Sequence, residues 1–374
     1  MDDTTGILDE ALRRLHVSGP ERLGRLTNHA PMAVEALAAR GRAKAVHRWL
    51  DLYASRLEDF PAAVEPVTAD NWRTALGDPR RAADWITYFD HELTARPWRD
   101  VLAEWWPRLL PGLYGGSTHP VIRVGHAVRT LLAGEADAGA RTRMEASSGT
   151  GADASARPGV APDPAGVTTP PPVPTPPRLT ELAHGLGYWA ARHHTLPVLR
   201  PLSGAGSAAA ALEAVRPIAD QDGGFPVLLA RVEALPVWAA GVTEPEEAYR
   251  RLTELVRAAT HRYATHGHGE ETMLVHAATA PNGVLRALPA LPRALWAPSL
   301  HAAWSASAAV TAMYSPAEAV AWTPTGLTPE EVVERAAAHG DEHVIKLTDT
   351  ALDVGDEQAL AAAVRAIELS EPLT

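Results

Sequence analysis

Glu244-Pro-Glu-Glu-Ala248-Tyr-Arg-Arg-Leu252-Thr-Glu-Leu255-Val256-Arg-Ala-Ala259-Thr-His-Arg-Tyr-Ala-Thr265 decides the fold class. Its apolar positions 248, 252, 255, 256 and 259 recur at steps of three and four. That is the stripe of an amphipathic helix; a strand would repeat every second residue. The same period runs outward in both directions. Upstream it marks residues 6–15 (Ile7, Leu8, Leu12, Leu15) and 31–57 (Val34, Leu37, Ala38, Val46, Trp49, Leu50, Tyr53, Leu57). Pro31 stands at a helix start and Gly41 is a candidate break. Residues 71–76, 80–95, 97–110 and 119–133 continue it, then 179–196 with Leu182, Leu186, Trp189 and Ala190 on one side. Shorter helices are predicted over 206–218 and 226–234. Downstream come 269–279, 282–289 and the Ala- and Trp-rich, polar-poor 295–314, which reads as a buried helix. Residues 328–338, 341–352 and 356–368 close the chain. Strand patterns are scarce and no repeat of fixed period is present, so an all-α fold is predicted.

Residues 135–178 break the pattern. They hold nine prolines, including Pro170-Pro-Pro172 and Pro176-Pro177, and little apolar periodicity. They read as a loop, partly disordered, either between two domains or inserted in one.

Composition excludes several classes. With no cysteine among 374 residues there are no disulfides, thiolate metals or cysteine nucleophiles. A metal or proton-transfer centre must use imidazole, carboxylate or amine. The balance of 34 basic and 45 acidic side chains, net −11, argues against a nucleic-acid surface. No apolar run of 18 residues suggests a membrane span, and the acidic start Met1-Asp-Asp lacks a signal peptide's apolar stretch. A cytoplasmic protein is expected. Eleven tryptophans against three phenylalanines supply core, or flat walls for an aromatic ligand.

Five patches place imidazole or amine on otherwise apolar segments: Asn28-His29-Ala-Pro31, His119-Pro-Val-Ile-Arg-Val-Gly-His126, Val275-His276, Ser299-Leu-His301 and Asp341-Glu-His343-Val-Ile-Lys346. His119 and His126, seven apart, share a helix face but lie about 10.5 Å apart along it. They either converge on one ion or act separately, one at a helix start and one in the core. His29 suits a turn before a helix, and a buried His276 needs partners. His343 and Lys346 share a face. Lys346 either snorkels to water or, if buried, tends to lose its proton. The loop Ser203-Gly204-Ala-Gly206-Ser-Ala-Ala209 loosely matches a dinucleotide pattern, but its proline-flanked approach is a poor strand. His261, His266 and His268 read as a solvated turn.

Together these segments resemble the questin oxidase-like family. The resemblance rests on Asn-His-Ala-Pro-Met-Ala at 28–33, Ala-Leu-Gly-Asp-Pro-Arg-Arg at 75–81 with Asp84-Trp85, and Trp-Pro-Arg-Leu-Leu-Pro-Gly at 106–112. It continues through His-Pro-Val-Ile-Arg at 119–123, Gly-His-Ala-Val-Arg at 125–129, Glu-Leu-Ala-His-Gly-Leu-Gly-Tyr-Trp-Ala-Ala-Arg at 181–192, His-Ala-Ala-Thr-Ala-Pro at 276–281 and Asp-Glu-His-Val-Ile-Lys-Leu-Thr at 341–348. It covers nearly the whole chain and skips the proline-rich stretch, which implies one helical domain, 1–374, with 135–178 as an insertion. It implies a flavin-independent oxygenase acting with O2 on anthraquinone-like aromatic polyketides, by Baeyer–Villiger-type insertion or ring cleavage. The metal-bearing form implies Fe(II) on four histidines and a carboxylated lysine: His29, His119, His126, His276 and Lys346, with His343 competing for the fourth histidine place. His343 and Arg123 are the catalytic candidates, and Tyr188, Trp189, Trp85 and Trp304 the candidate substrate walls. Pro120 departs from the usual small residue after His119. A cofactor-independent oxygenase, with the same histidines as bases on a phenol, and a non-catalytic aromatic-binding protein remain alternatives. A need for NADPH stays open.

Overall fold

The structure, a computed structural model, describes residues 4–148 and 174–374. Sixteen α-helices are found among them. The N-terminal eight are α1 (Thr4–Leu15), α2 (Ala30–Ala39), α3 (Ala43–Tyr53), α4 (Trp72–Ala75), α5 (Ala82–Ala95), α6 (Trp98–Leu109), α7 (His119–Ser148) and α8 (Pro176–Ala191). The rest are α9 (Ala208–Glu213), α10 (Phe225–Ala230), α11 (Pro245–His266), α12 (Glu271–Ala287), α13 (Trp296–Tyr314), α14 (Pro329–His339), α15 (Glu342–Val354) and α16 (Glu357–Leu369). The fold is all-α. Its strands are two minimal pairs: antiparallel β1 (Glu21–Arg22) and β2 (Leu26–Thr27), and parallel β3 (Arg200–Leu202) and β4 (Ala234–Pro236).

The apolar stripe within residues 244–265 is the buried face of α11: Ala248, Leu252, Leu255, Val256 and Ala259 are all buried. The helix expected over 295–314 is α13, Trp296–Tyr314, mostly buried as its composition requires. Other boundaries differ. Residues 31–57 split at Gly41, whose φ of 73° only glycine adopts without penalty. The helix expected to end near 133 continues to Ser148. Its start is held by packing against α8 and α12, and its later turns contain the good helix formers Ala, Glu and Arg, which weak amphipathic periodicity had hidden. Of the rest of the proline-rich stretch, 149–173 lie outside the described residues, and 176–178 form the first turn of α8, where proline is tolerated at a helix start. The glycine loop at 203–209 does come after a strand, but one of three residues, and precedes a six-residue helix.

Residues 269–279 and 282–289 merge into one helix, α12, with Pro281 inside it. Proline has no N–H, so the carbonyl four residues back, Ala277, loses its helical partner. The buried Ser307 hydroxyl of α13 donates to that carbonyl at 2.7 Å. Ser307→Ala is therefore expected to lower stability by about 1–3 kcal/mol, read as a shifted urea midpoint. An unchanged midpoint would show that the carbonyl finds another partner.

α2 packs on α7, α7 on α12, α12 on α15, and α15 back on α2. This ring carries the polar residues of interest. Gly125 and Gly283 let α7 and α12 touch backbone to backbone: a Cβ at Gly125 would lie 2.5 Å from the Gly283 Cα. On the other flank α8 meets α7 at Gly185, where a Cβ would lie 3.0 Å from Val124. Trp85, Trp105, Trp106 and Trp189 fill the adjoining core with no exposed surface.

Candidate metal centre

Each helix of the ring delivers one imidazole near its start. His29 is the residue from which the chain enters α2, and its N–H donates to the Tyr53 phenol oxygen at 3.3 Å. His119 opens α7. Gly116, Ser117 and Thr118 just before it all have positive φ (56°, 54° and 68°). For Ser117, and still more for β-branched Thr118, that conformation costs about 1–3 kcal/mol each and persists only where the surroundings impose it. The turn sets the Gly116 carbonyl 2.8 Å from His119 Nδ1. Pro120 sits at the second helical position, where no helical N–H bond is lost, so it is compatible with the placement of His119. His276 lies in α12, one turn before Pro281. His343 and Lys346 share a face of α15, whose start is capped by Asp341 accepting from the His343 and Val344 N–H groups.

These side chains meet. His29 Nε2 and His119 Nε2 are 2.7 Å apart. Ring centroids are 4.3 Å apart for His119 and His276, 4.6 Å for His29 and His343, and 5.8 Å for His276 and His343. One nitrogen each of His29, His119 and His343 lies within 4.8 Å of the others. His276 and Lys346 have no exposed surface. Neither His276 nitrogen, nor His29 Nδ1, nor Lys346 Nζ has a hydrogen-bond partner.

Burial, then the Lys346 charge, holds His29 and His119 well below the usual imidazole pKa; for His276 burial leads, with His119 and Lys346 next. Burial also pushes the Lys346 amine down to about 7, against the pull of Glu342 and Asp341. Burial therefore favours the neutral form of His29, His119, His276 and Lys346. His119 Nδ1–H donates to the Gly116 carbonyl, leaving its Nε2 a bare lone pair. His29 Nδ1 faces the Glu342 carboxylate at 3.6 Å, which favours the proton on that nitrogen and again leaves Nε2 bare. With His29 in that tautomer, two lone pairs confront each other at 2.7 Å; in the other, His29 Nε2–H donates to His119 Nε2. A cation relieves the confrontation, and two ligands at right angles on one ion, each about 2.1 Å from it, sit about 3 Å apart. The residues present fit a metal.

Not every predicted residue joins. His126 stands apart: its Nδ1 is 2.5 Å from Glu35 Oε2, and its Nε2 faces Arg286 at 3.4 Å. A helical rise of seven residues separates it from His119, as the spacing allowed, and His343 takes the fourth imidazole place. Arg123 is engaged elsewhere: two of its three nitrogens donate to buried Glu181, at 2.6 and 2.8 Å. The predicted aromatic walls are core or lie elsewhere. Trp85 and Trp189 donate to the carbonyls of Ala75 and Gly112. Tyr188 bonds Thr27 and Glu21. Trp304 donates to the Pro236 carbonyl and lines a separate hollow of about 270 Å³ beside β4. His301 bonds the Ala239 carbonyl and takes no part in the centre.

The residues that sequence reasoning passed over form a second polar layer, six to eleven residues further along the same helices. Glu35 pairs with His126 and Arg129. Asp349 accepts from Arg129 at 2.9 Å, from Arg286 at 2.7 Å and from Arg40 at 2.7 Å. Asn282 donates to Thr350 and Asp353. The signal was available: Glu35 is the one charge in α2.

Fold and centre define a class: an all-α protein with four imidazoles and an amine converging in its core. The sequence model of the family described as Questin oxidase-like matches residues 26–159, so the chain is similar to that family over this segment. The match takes in His29, His119 and His126 and stops short of His276, His343 and Lys346. No curated protein matches the chain. Among the described residues no helix is long and apolar enough to cross a membrane.

Proposed function

We propose that the chain is a flavin-independent oxygenase acting with O2 on an aromatic polyketide. In this reading His29, His119, His276 and His343 hold one iron, with Lys346, carboxylated by CO2, as the fifth ligand. The observation that carries it is the convergence of donor atoms left without partners. Each orphaned buried polar group costs about 1–3 kcal/mol, a penalty a bound cation removes. Imidazole suits iron, and an anionic oxygen offsets its charge. When bound, the iron supplies a partner for O2 that relieves the spin barrier to reaction with a closed-shell organic molecule.

The protein groups have separable tasks. Gly116 and Glu342 orient His119 and His29 through the ring nitrogens turned away from the centre. The neutral Lys346 amine attacks the carbon of CO2, forming the N–C bond of a carbamate and releasing a proton. Baeyer–Villiger-type insertion puts one oxygen atom into substrate and one into water, so it draws two electrons from a reductant of the NADPH class. Ring cleavage placing both atoms in product draws none. A second reading rests on burial, which favours the neutral form of His29, His119 and His276: they act as bases on a phenolic substrate, with no metal.

The test is the metal content of freshly purified protein alongside O2 uptake with a hydroxyanthraquinone, with and without NADPH. About one equivalent of iron, lost together with activity in His276→Ala, is expected. Full activity after exhaustive chelation would sink the iron reading and leave the base reading.

A further inference from the structure

The imidazole centre itself is closed, but a cleft of about 720 Å³ opens beside it. The cleft is bounded by segments that lead directly into two of the imidazoles. Gly116 and Ser117 belong to the left-handed turn before His119, and Glu270 and Met273 lie at the start of α12, one turn before His276. Its size falls within the range that encloses a small organic molecule, about 300–1,000 Å³.

Its walls select for shape. Six glycines line it: Gly77, Gly115, Gly116, Gly223, Gly224 and Gly269. Bare backbone gives a flat surface, and several of these positions admit nothing larger. A Cβ at Gly115 would lie 1.6 Å from the Arg192 carbonyl oxygen, and one at Gly269 2.5 Å from Pro316. Tyr114, Phe225 and Tyr314 supply ring faces and edges, which prefer another π-system.

Its ends differ in polarity. Arg25 is exposed at one side and makes no ion pair among the described residues; the exposed His194 stands with it on the lining. Arg192 is neutralised by a two-pronged pair with Glu21. Glu270, half-buried, is the acceptor on the side of α12 and the imidazoles.

We propose that this cleft binds a flat aromatic compound carrying an acidic oxygen, with the acidic group toward Arg25 and a hydroxyl-bearing edge toward Glu270. The proposal rests on the oxygenase reading only for the chemistry after binding.

The probe is 1-hydroxy-2-naphthoate, titrated calorimetrically into the full chain stripped of metal. Wild-type protein is expected to bind it. Gly224 has φ −80°, and a Cβ there meets nothing within 4 Å, so Gly224→Trp fills space without straining the backbone. It is expected to weaken binding at least about tenfold while keeping the wild-type circular dichroism. Arg25→Glu on the exposed rim is expected to weaken it about three- to tenfold, a loss that shrinks at high salt. Absence of binding by the wild type, or wild-type affinity in folded Gly224→Trp, overturns the cleft; wild-type affinity in Arg25→Glu overturns the proposed orientation. Iron content tests the centre separately. Binding that responds to both variants in a protein that takes up no iron and consumes no O2 removes the oxygenase reading and keeps the cleft.

Discussion

Lys346→Met is expected to stabilise the metal-free protein at pH 7 while abolishing metal-dependent O2 uptake. The lysine has no exposed surface and no partner for its amine. Burial brings it from 10.5 to about 7 in the folded protein. Between those two values the unfolded chain carries a proton on this amine that the folded chain lacks. Unfolding therefore takes up a proton, and stability rises with pH across the window. Relative to pH above 10.5, the wild type at pH 7 bears a penalty of about 4–5 kcal/mol. Methionine of similar volume removes the group that titrates, so this rise disappears in the variant. Urea unfolding of both proteins at about pH 7, 9 and 10.5, without metal or CO2, reads the difference; parallel curves would show that the amine reaches water. If the proposed iron site is right, loss of the carboxylated Lys346 ligand is expected to lower O2 uptake by more than about 100-fold. A variant that is more stable yet inactive distinguishes a ligand from a lysine that merely packs.

Asp349→Ala is expected to have the largest destabilising effect in the second polar layer. The carboxylate is buried and holds Arg40, Arg129 and Arg286 at once. Those three guanidiniums keep it well below the usual carboxylate range despite its burial. Removing it leaves three cations sharing Glu35 and Asp353. Breaking a buried pair in this way costs about 3–5 kcal/mol, because an uncompensated charge stays behind. The loss is read in urea or as a lowered Tm; a shift below about 1 kcal/mol would mean that the remaining carboxylates re-pair with the arginines. The same layer sets the acid limit. Glu35 is pulled from 4.5 to about 2, mainly by Arg129 working against burial. Its stabilisation is complete above pH 4.5 and is lost as pH falls toward 2. Acid unfolding of the wild type is therefore expected within that interval.

The two layers explain why this site was only partly legible. His29, His276, His343 and Lys346 could be picked out because each is a polar group set in an apolar run, and a buried polar group needs a purpose. His126 carried the same signal for a different reason. It belongs to the ion network, and a seven-residue spacing cannot tell two ligands of one ion from one ligand and one neighbour in the layer beyond. Arg123 misled similarly, since its partner Glu181 lies 58 residues away on α8. The tryptophans were ambiguous because an aromatic side chain serves equally as core or as a ligand wall. The helical extension to Ser148 was hidden because its sequence lacks an apolar stripe.

What the sequence determined by itself was local. Periodicity made the chain helical, proline and glycine placed several helix ends, and the absence of cysteine restricted any metal centre to imidazole, carboxylate and amine. The tertiary structure decided which of the candidates meet. Packing of α7 on α12 at Gly125 and Gly283, and closure of the ring through α15 and α2, brings residues 29, 119, 276, 343 and 346 together. Helix period is a property of neighbouring residues. Convergence depends on which helices cross and how closely, and here on two glycines that let backbones touch.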